Sequence, residues 1–253
     1  DTAGRYATEA DDHDEWTSFV DMLRKYRSEK PINGIIVAIS VTDLMEATDE
    51  QIESYAKRLR ARIDEVTNRL HMVVPVYVMF TKVDLVAGFV EFWGDLRKSE
   101  RAQIWGTTLP LEGAATREVG KAFDEEFDAL VERLHGRAMT RVGTERQVEL
   151  RQRVYQFPLE FAGLKQNLQE FLSSLFQQNN LQDNPILRGI YFSSGTQEGR
   201  PIDRVIGGMM RAFNLPAPVH EEQQATEAKS YFVTDVFKHV VFPDQNVAAR
   251  THG

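Results

Sequence analysis

The chain passes from the apolar run Val73-Val74-Pro75-Val76-Tyr77-Val78-Met79-Phe80 directly into Thr81-Lys82-Val83-Asp84. A short, continuous run of apolar and β-branched residues is typical of a parallel strand that is covered on both faces. Residues 34–41 and 189–192 have the same character. The three runs predict three parallel strands. The loops that follow them are therefore expected at one shared edge, where open α/β sheets bind ligands.

Apolar residues at helical spacing lie between the first two of these runs. They predict a helix after the acidic residues 11–15, stopped by Pro31, and a second amphipathic helix across residues 52–70. The charged residues of the second helix are expected to form a solvated face. The order of strand, helix and strand favours right-handed parallel crossovers and an α/β fold.

The pattern between the second and third predicted strands is mainly helical. Apolar stripes from Val119 to Leu134 and from Leu164 to Phe176 are typical of the core of a helix bundle. We therefore expect four parts: an α/β part (1–85), a helical subdomain (86–185), a return to the α/β part with the third strand and a helix opened by Pro201 (186–215), and a linker with a C-terminal docking helix (216–253). The apolar face of the last part is expected to pack on the helical subdomain or on a missing neighbour.

Two tetrapeptides match signature elements of guanine-nucleotide switch proteins. In the turn Thr81-Lys82-Val83-Asp84, the carboxylate of Asp84 is suited to accept both donors of a guanine edge, and the stem of Lys82 to lie along the base and ribose. In Asp1-Thr2-Ala3-Gly4, the Asp of an Asp-x-x-Gly turn reaches Mg²⁺ through water and the Gly amide meets the γ-phosphate. Either tetrapeptide alone is equally compatible with an ordinary polar turn. Their combination with the predicted strands favours a nucleotide fold.

Two further sets of residues are candidates for the same site. Ser193-Ser194-Gly195 follows the third predicted strand, where a GTPase places the small-residue loop that supports base recognition, although such loops are also common without a ligand. Arg5 stands where small GTPases often have the Gln that orients the attacking water. Because arginine has donors only, Arg5 predicts slow or absent hydrolysis. Its use as an arginine finger in cis, which stabilises transition-state charge, stays open.

The phosphate loop Gly-x-x-x-x-Gly-Lys-Ser/Thr does not occur in these 253 residues. We expect that loop, its strand and the strand leading to Asp1 to lie upstream. The predicted strand at 34–41 would then have an unprotected edge in this chain. Mg²⁺ with GTP or ATP is expected as a ligand of a longer parent protein only, and this segment alone is expected to be inactive as an NTPase.

Composition excludes several other classes of function. With 38 acidic and 30 basic residues, the net charge of −8 argues against a general nucleic-acid or anionic-membrane surface. The absence of cysteine excludes disulfides and a thiolate nucleophile. The six histidines are scattered without a His-x-x-x-His pair, so no zinc site is expected.

Three stretches together resemble the IcmF family, the TssM component of bacterial type VI secretion. They are Asp1-Thr2-Ala3-Gly4-Arg5-Tyr6, the run Leu23-Arg24-Lys25-Tyr26-Arg27 leading to residues 31–37, and Val241-Phe242-Pro243-Asp244. The resemblance implies a partial P-loop NTPase-like sheet with a large helical insertion, at the cytoplasmic face of the bacterial inner membrane. It implies baseplate components and a subunit of the IcmH/DotU type as partners.

The resemblance also implies roles for single residues. Asp1 would serve Mg²⁺, Gly4 the γ-phosphate, and Lys82 with Asp84 the base, while Thr81 stands where many GTPases have Asn. Two functions are open at this point. One is a docking platform for baseplate and membrane-complex partners, and the other is a nucleotide-hydrolysing switch.

Overall fold

The computed structural model of the chain describes residues 13–179, 183–195 and 229–250. Its strands are β1 (Ile35–Ser40), β2 (Met72–Val73), β3 (Pro75–Thr81), β4 (Gly106–Thr108), β5 (Ile186–Phe192), β6 (Ser194–Gly195), β7 (Ser230–Tyr231) and β8 (Ala249–Arg250). Its α-helices are α1 (His13–Tyr26), α2 (Val41–Met45), α3 (Asp49–Leu70), α4 (Phe89–Trp93), α5 (Lys98–Arg101), α6 (Val119–Thr144), α7 (Val148–Ala162), α8 (Lys165–Leu175) and α9 (Thr234–Val236). Short turns of 3₁₀ helix lie at Val83–Leu85, Ala114–Thr116 and Pro243–Asn246, and a π-helical turn at Phe237–Val241 continues α9.

Four strands form the main sheet in the order β1-β3-β5-β4. β1, β3 and β5 are parallel, as the three apolar runs predict, with Ser40 opposite Thr81 and Phe80 opposite Phe192. The sheet positions the carboxyl ends of the three strands side by side. The α/β class with a mostly parallel sheet is therefore confirmed.

The fourth strand of the sheet is absent from the sequence-based prediction. β4 pairs antiparallel to β5 inside a region that the pattern predicts to be helical. Its three residues, Gly-Thr-Thr, are too few to show a period, and its pairing depends on tertiary contacts. Two flanking bonds extend that pairing, from the Phe192 N–H to the Trp105 carbonyl (2.8 Å) and from the Leu109 N–H to the Arg188 carbonyl (2.8 Å).

The helix α3 connects β1 to β3 and has clear local signals. Thr48 and Gln51 form a capping box, with reciprocal bonds of 2.9 and 3.3 Å between side chain and backbone N–H. Its buried stripe includes Ile52, Ala56 and Ile63, and it ends at His71 in the left-handed conformation. The predicted helix is confirmed, beginning three residues before its predicted start at residue 52.

The helices α6, α7 and α8 share one hydrophobic core with the sheet. The rings of Phe127 and Phe161 stack at 4.9 Å between centroids, and Phe161 meets Phe192 of β5 at 4.9 Å. On the same face of the sheet, Phe80 of the neighbouring strand β3 stacks on Phe192 at 5.5 Å between centroids. No gap in this core marks the proposed boundary at residue 85, so the division into parts stays a proposal. The helical faces are held rigidly against the sheet.

The C-terminal segment, residues 230–246, packs on the face of the sheet opposite to helices α6, α7 and α8. We call this the second face of the sheet. Val236 and Val240 form a buried cluster with Tyr77, Met79 and Tyr191 of β3 and β5. Tyr231 and Phe232 of the same segment pack on Phe89 and Trp93 of the helical region, at 5.3 and 5.1 Å between ring centroids. The expectation that the segment docks on the helical region therefore holds for these two residues, whereas Val236 and Val240 cover the sheet instead. The apolar pattern of the segment showed that it needed a partner, but not which of the available faces it covers.

A polar network fastens the same segment to the sheet. Arg188 of β5 donates to both carboxylate oxygens of Asp244, from Nε at 2.6 Å and from Nη2 at 3.2 Å. The hydroxyl of Tyr77 donates to Asp244 Oδ2 at 3.0 Å. Asp244 lies in the Val241–Asp244 stretch that carried part of the family resemblance. Its role is to anchor the segment at the amino-terminal ends of β3 and β5.

The pKa of Tyr77 is raised well above its ordinary value of about 10, by burial first and then by the bond to Asp244. Burial likewise raises the pKa of Tyr191. A raised folded-state pKa means that stability is complete below pH ~10, where the unfolded tyrosine is neutral, and is lost as pH rises above that value. We expect the free energy of unfolding to fall above pH ~10, by up to about 1.4 kcal/mol per pH unit for each such tyrosine.

Denaturant unfolding between pH 8 and 11 would measure this loss. In Tyr77→Phe, the free energy of unfolding should fall less steeply with pH, because about one proton fewer is released on unfolding. The matched control is Tyr26→Phe, because the Tyr26 side chain is 73% exposed and lies outside the buried network around Asp244. Equal slopes in the two variants would contradict the assignment of the alkaline loss to Tyr77.

β1 lies at one edge of the sheet. Within residues 13–179, 183–195 and 229–250, no strand pairs with its outer side. On the second face of the sheet, Ile36 is 37% exposed and Ala38 is also exposed. This is the strand at which an unprotected edge was expected.

Candidate functional site

The base-reading turn predicted from the sequence begins at the last residue of β3. Thr81 closes the strand, and Lys82 takes a left-handed conformation with φ 58° and ψ 32°. This backbone conformation is unfavourable for residues other than glycine and asparagine, so contacts with neighbouring residues must stabilise it. Val83 supplies two of them, because its side chain is fully buried and its N–H donates to the Ser193 carbonyl at 3.3 Å. The turn leaves Lys82 exposed and Asp84 half-buried at the sheet edge.

The small-residue loop after β5 lies directly beside this turn. The Ser193 N–H donates to the Phe80 carbonyl at 2.8 Å, which continues the register of β3 and β5 beyond the last strand residue. The Ser194 hydroxyl donates to Asp84 Oδ1 at 2.5 Å. Both serines are buried, with 3% and 1% of their surface exposed. The structure therefore brings together five of the predicted site residues: Thr81, Lys82, Asp84, Ser193 and Ser194.

The Ser194 bond determines what Asp84 can do chemically. A hydroxyl donating to one carboxylate oxygen orients the carboxyl plane and leaves the other oxygen to accept. Among the described residues, Asp84 Oδ2 has no hydrogen-bond partner. A half-buried carboxylate with a fixed plane is suited to a ligand edge that presents neighbouring N–H donors. The same geometry would also stabilise the loop without any ligand, so it supports recognition of a base without requiring it.

A pair of hydroxyl side chains at the same sheet edge was not predicted from the sequence. The Ser40 Oγ and Thr42 Oγ1 atoms are 2.6 Å apart where β1 passes into α2. Ser40 is opposite Thr81 across the sheet and is buried. The signal that could have identified it is its place as the first polar residue after an apolar run. Polar side chains thus end all three parallel strands.

The other sequence candidates are not placed. Asp1, Gly4 and Arg5 lie outside the described residues, as does the helix expected after Pro201. The half of the proposed site that would meet Mg²⁺ and the γ-phosphate is therefore untested. No cluster of three or more metal-ligating side chains occurs among the residues that the structure does describe.

The C-terminal segment holds the small-residue loop from its other side, a contact that the sequence did not predict. Ser194 and Gly195 of β6 pair antiparallel with Tyr231 and Ser230 of β7. The next residue, Phe232, has φ 62°, an outlier for a bulky residue. Its N–H donates to the Arg101 carbonyl at 2.6 Å, and its ring packs on Trp93 at 5.1 Å between centroids. The loop is thus fixed between the Asp84 turn and the segment that continues to Asp244.

Two cavities lie away from this edge. The larger, of about 310 Å³, is lined by Arg117, Gly120, Ser173 and Gln178 among others, between the start of α6 and the loop after α8. The smaller is lined by Asn184 and by Leu187 of β5. Both are near the amino-terminal end of β5, whereas parallel sheets bind ligands at the carboxyl ends of their strands. The polar loops around Asp84, at the carboxyl ends of the strands, are therefore the better candidate site.

Nothing in the described parts of the chain has the length and apolarity of a membrane-crossing helix.

Comparison with known proteins identifies relatives over nearly the whole chain. The family described as IcmF-related N-terminal domain matches residues 9–252. A protein of Pseudomonas aeruginosa PAO1 described as "Type VI secretion system component TssM1" is 43% identical over 253 residues, which cover 98% of this chain and 23% of that protein. The chain thus spans about a quarter of the length of this curated relative. No solved structure matches the chain.

Proposed function

The chain belongs to the IcmF-related family, and on that premise we propose that it is the cytoplasmic domain of a type VI secretion membrane-complex protein and acts there as a docking platform on a GTPase-like fold. The single observation that carries the assignment to type VI secretion is the 43% identity to TssM1 over 98% of the chain. The proposed partners are baseplate components and an inner-membrane subunit of the IcmH/DotU type. The proposed place is the cytoplasmic face of the inner membrane.

Rigidity of the helical region supports the platform. The rings of Phe127 in α6 and Phe161 in α7 both pack on Phe192 of β5, which stacks on Phe80 of β3, so the outer faces of these helices are fixed relative to the sheet. A fixed surface loses little conformational entropy when a partner binds. The absence of a phosphate loop from these 253 residues also favours docking over catalysis for this segment itself.

One observation favours a second function, a nucleotide-driven switch in the longer parent protein. The Ser194 hydroxyl donates to Asp84 at 2.5 Å, an arrangement that supports base recognition by the other carboxylate oxygen. Movement of the loop around Ser194 would pass to β7 and onward to Asp244 at the opposite end of the sheet. The switch would use Asp1, Gly4 and Arg5 for Mg²⁺, the γ-phosphate and the transition state, with GTP or ATP as ligand.

Asp84→Asn in the full-length protein separates the two functions. Asparagine keeps one acceptor for the Ser194 hydroxyl but replaces the second with an amide donor. If Asp84 reads guanine, we expect GTP affinity to fall about 10- to 100-fold, the size of a lost bond to a charged group. Xanthosine triphosphate should then bind better than to the wild type, because its carbonyl faces the new donor. Calorimetric titration of GTP, ATP and xanthosine triphosphate with Mg²⁺ would measure this.

The platform gives a different expectation for the same variant. Secretion activity should stay at the wild-type level, and neither GTP nor ATP should bind the wild-type protein. Ser194→Ala is the control for loop structure, since it removes the same bond but leaves the Asp84 carboxylate. GTP binding that falls in Asp84→Asn with a gain for xanthosine triphosphate, and falls in Ser194→Ala without that gain, together with lost secretion in Asp84→Asn, would replace the platform by the switch.

A further inference from the structure

The helix α7 presents apolar side chains on its outer face. Val148, Tyr155 and Leu159 are 56%, 49% and 50% exposed. They are seven and four residues apart along the helix. At 100° per residue they therefore lie within about 40° of one another around its axis. We call these three residues the α7 stripe. Single exposed apolar residues are normal on a protein surface, but three on one face of a 15-residue helix call for an explanation.

The opposite face of α7 is part of the core. Val154, Phe157 and Phe161 are fully buried there, and Phe157 packs on Phe89 of α4 at 5.6 Å between centroids. Burial of this face keeps the helix from turning to hide the stripe. The stripe is consequently a fixed feature of the surface.

The charged residue of α7 that lies closest to the stripe around the helix axis is Arg151. Arg151 lies about 40° from Tyr155 around the helix, is exposed, and has no ion pair or side-chain hydrogen bond among the described residues. On the flank, Glu160 accepts a bond from Gln156 Nε2 at 2.9 Å and lies about 140° from Tyr155. Glu149 is also exposed but lies about 120° from Tyr155 around the helix. A partner covering the stripe would therefore meet Arg151 first, and a carboxylate on the partner would complement it.

The size of the stripe restricts what can cover it. Three half-exposed side chains offer on the order of 300 Å² of apolar surface, well below the ~800 Å² that each partner buries in a stable protein pair. A second copy of the chain docked on this face alone would be too weakly held. One amphipathic helix fits a stripe of this width, as in helix-in-groove recognition. Its binding would add to other contacts in a larger assembly.

We propose that the α7 stripe is a docking surface for an amphipathic helix with acidic borders, supplied by another subunit of the secretion machine. The proposal rests on the platform function and assigns one of its faces. Tyr155 and Leu159 fill the apolar side of the partner helix, and Arg151 pairs with a carboxylate on its border. Tyrosine and arginine are the residue types that most often dominate binding at such contacts.

Photo-crosslinking in the living bacterium would test the contact. A photo-reactive phenylalanine analogue replaces Tyr155 in the full-length protein, and Glu160 in a matched control on the same helix. We expect position 155 to give an adduct with a secretion-system subunit, mapped to a helical segment with carboxylates, at least tenfold above position 160. An adduct with a second copy, an adduct with lipid, or equal yields at both positions would overturn the proposal.

Variants of the stripe test its contribution. Tyr155→Ala, Leu159→Ala and Arg151→Glu should each reduce at least tenfold the amount of the subunit cross-linked at position 155 that co-purifies with the full-length protein, with an unchanged circular dichroism spectrum. Met22→Ala on α1, an apolar side chain that is 49% exposed outside the stripe, should leave the yield unchanged. Wild-type yields in all three stripe variants would reject the surface but keep the platform. No co-purification with the wild-type protein would reject both.

Discussion

Arg60→Ala is expected to lower the free energy of unfolding by about 3–5 kcal/mol. The guanidinium of Arg60 is buried between α3, the end of α8 and the start of β5. Nη1 donates to the carbonyls of Leu175 (3.1 Å) and Gln177 (2.7 Å), and Nη2 to Asn184 Oδ1 (3.1 Å). Nε pairs with Asp64 at 2.8 Å.

Alanine would leave these acceptors without their donor. One of them is the carbonyl of Leu175, the last residue of α8, and another is that of Gln177 just beyond the helix. A buried acceptor without a partner costs about 1–3 kcal/mol. Asn184 also binds both the N–H and the carbonyl of Asn179, so its side chain organises the loop that returns the chain to the sheet. Loss of Arg60 therefore loosens the register of β5 as well as the end of α8.

Chemical denaturation of the variant would measure the loss, with hydrogen exchange along β5 as a local readout. Arg58→Ala is the matched control, since Arg58 lies on the same helix and is exposed. Its bond to Ser54 at 3.3 Å is solvated, so a change below about 0.5 kcal/mol is expected. A loss of that small size in Arg60→Ala would show that water replaces the guanidinium at no cost.

Arg60 also shows where prediction from the sequence was wrong. The pattern of α3 predicted the helix and its apolar stripe correctly, but it placed every charged residue of the helix on a solvated face. Arg60 is only 9% exposed, because its acceptors come from residues 175–184, far away in the chain. Periodicity reports that a side chain is polar, and it contains no information about a distant loop that satisfies it.

In the candidate site, too, some contacts could be predicted from the sequence and others could not. Three apolar runs predicted three parallel strands, and parallel strands must end at a common edge. The proximity of Asp84 to Ser194 was therefore accessible from the sequence despite the 110 residues between them. The pairing of Ser194 with Tyr231 was not accessible, because two-residue strands leave no period to detect. The roles of Asp1, Gly4 and Arg5 remain predictions, since these residues lie outside the described part of the chain.

Gly106→Ala is expected to lower the free energy of unfolding by about 2–5 kcal/mol. This range combines the cost of a positive φ for a residue that carries a Cβ with the cost of overpacking. Gly106 has φ 147°, and a Cβ there would lie 2.2 Å from the Ile190 carbonyl oxygen and 2.7 Å from the Tyr191 Cα. Both atoms are backbone atoms of β5, so no side-chain rotation relieves the contact. β4 or β5 must move.

The helical glycine Gly136 provides a control of opposite sign. A Cβ at this position in α6 meets nothing within 4 Å. Alanine there should raise the free energy of unfolding by about 0.5–1 kcal/mol, because glycine loses more backbone entropy on folding. Thermal or denaturant unfolding of the two variants gives the comparison. A stabilised Gly106→Ala would mean that β4 is free to shift away from β5.

The position of Gly106 links this loss to the candidate site. Its neighbour Trp105 accepts the Phe192 N–H at 2.8 Å, and Phe192 immediately precedes Ser193. The Trp105 ring also packs on Phe192 at 5.2 Å and on Phe232 at 5.2 Å. Displacement of β4 would therefore move the residues that hold the small-residue loop against Asp84. We expect the tryptophan fluorescence of the folded variant to change and amide exchange at residues 193–195 to accelerate, whereas Gly136→Ala should alter neither.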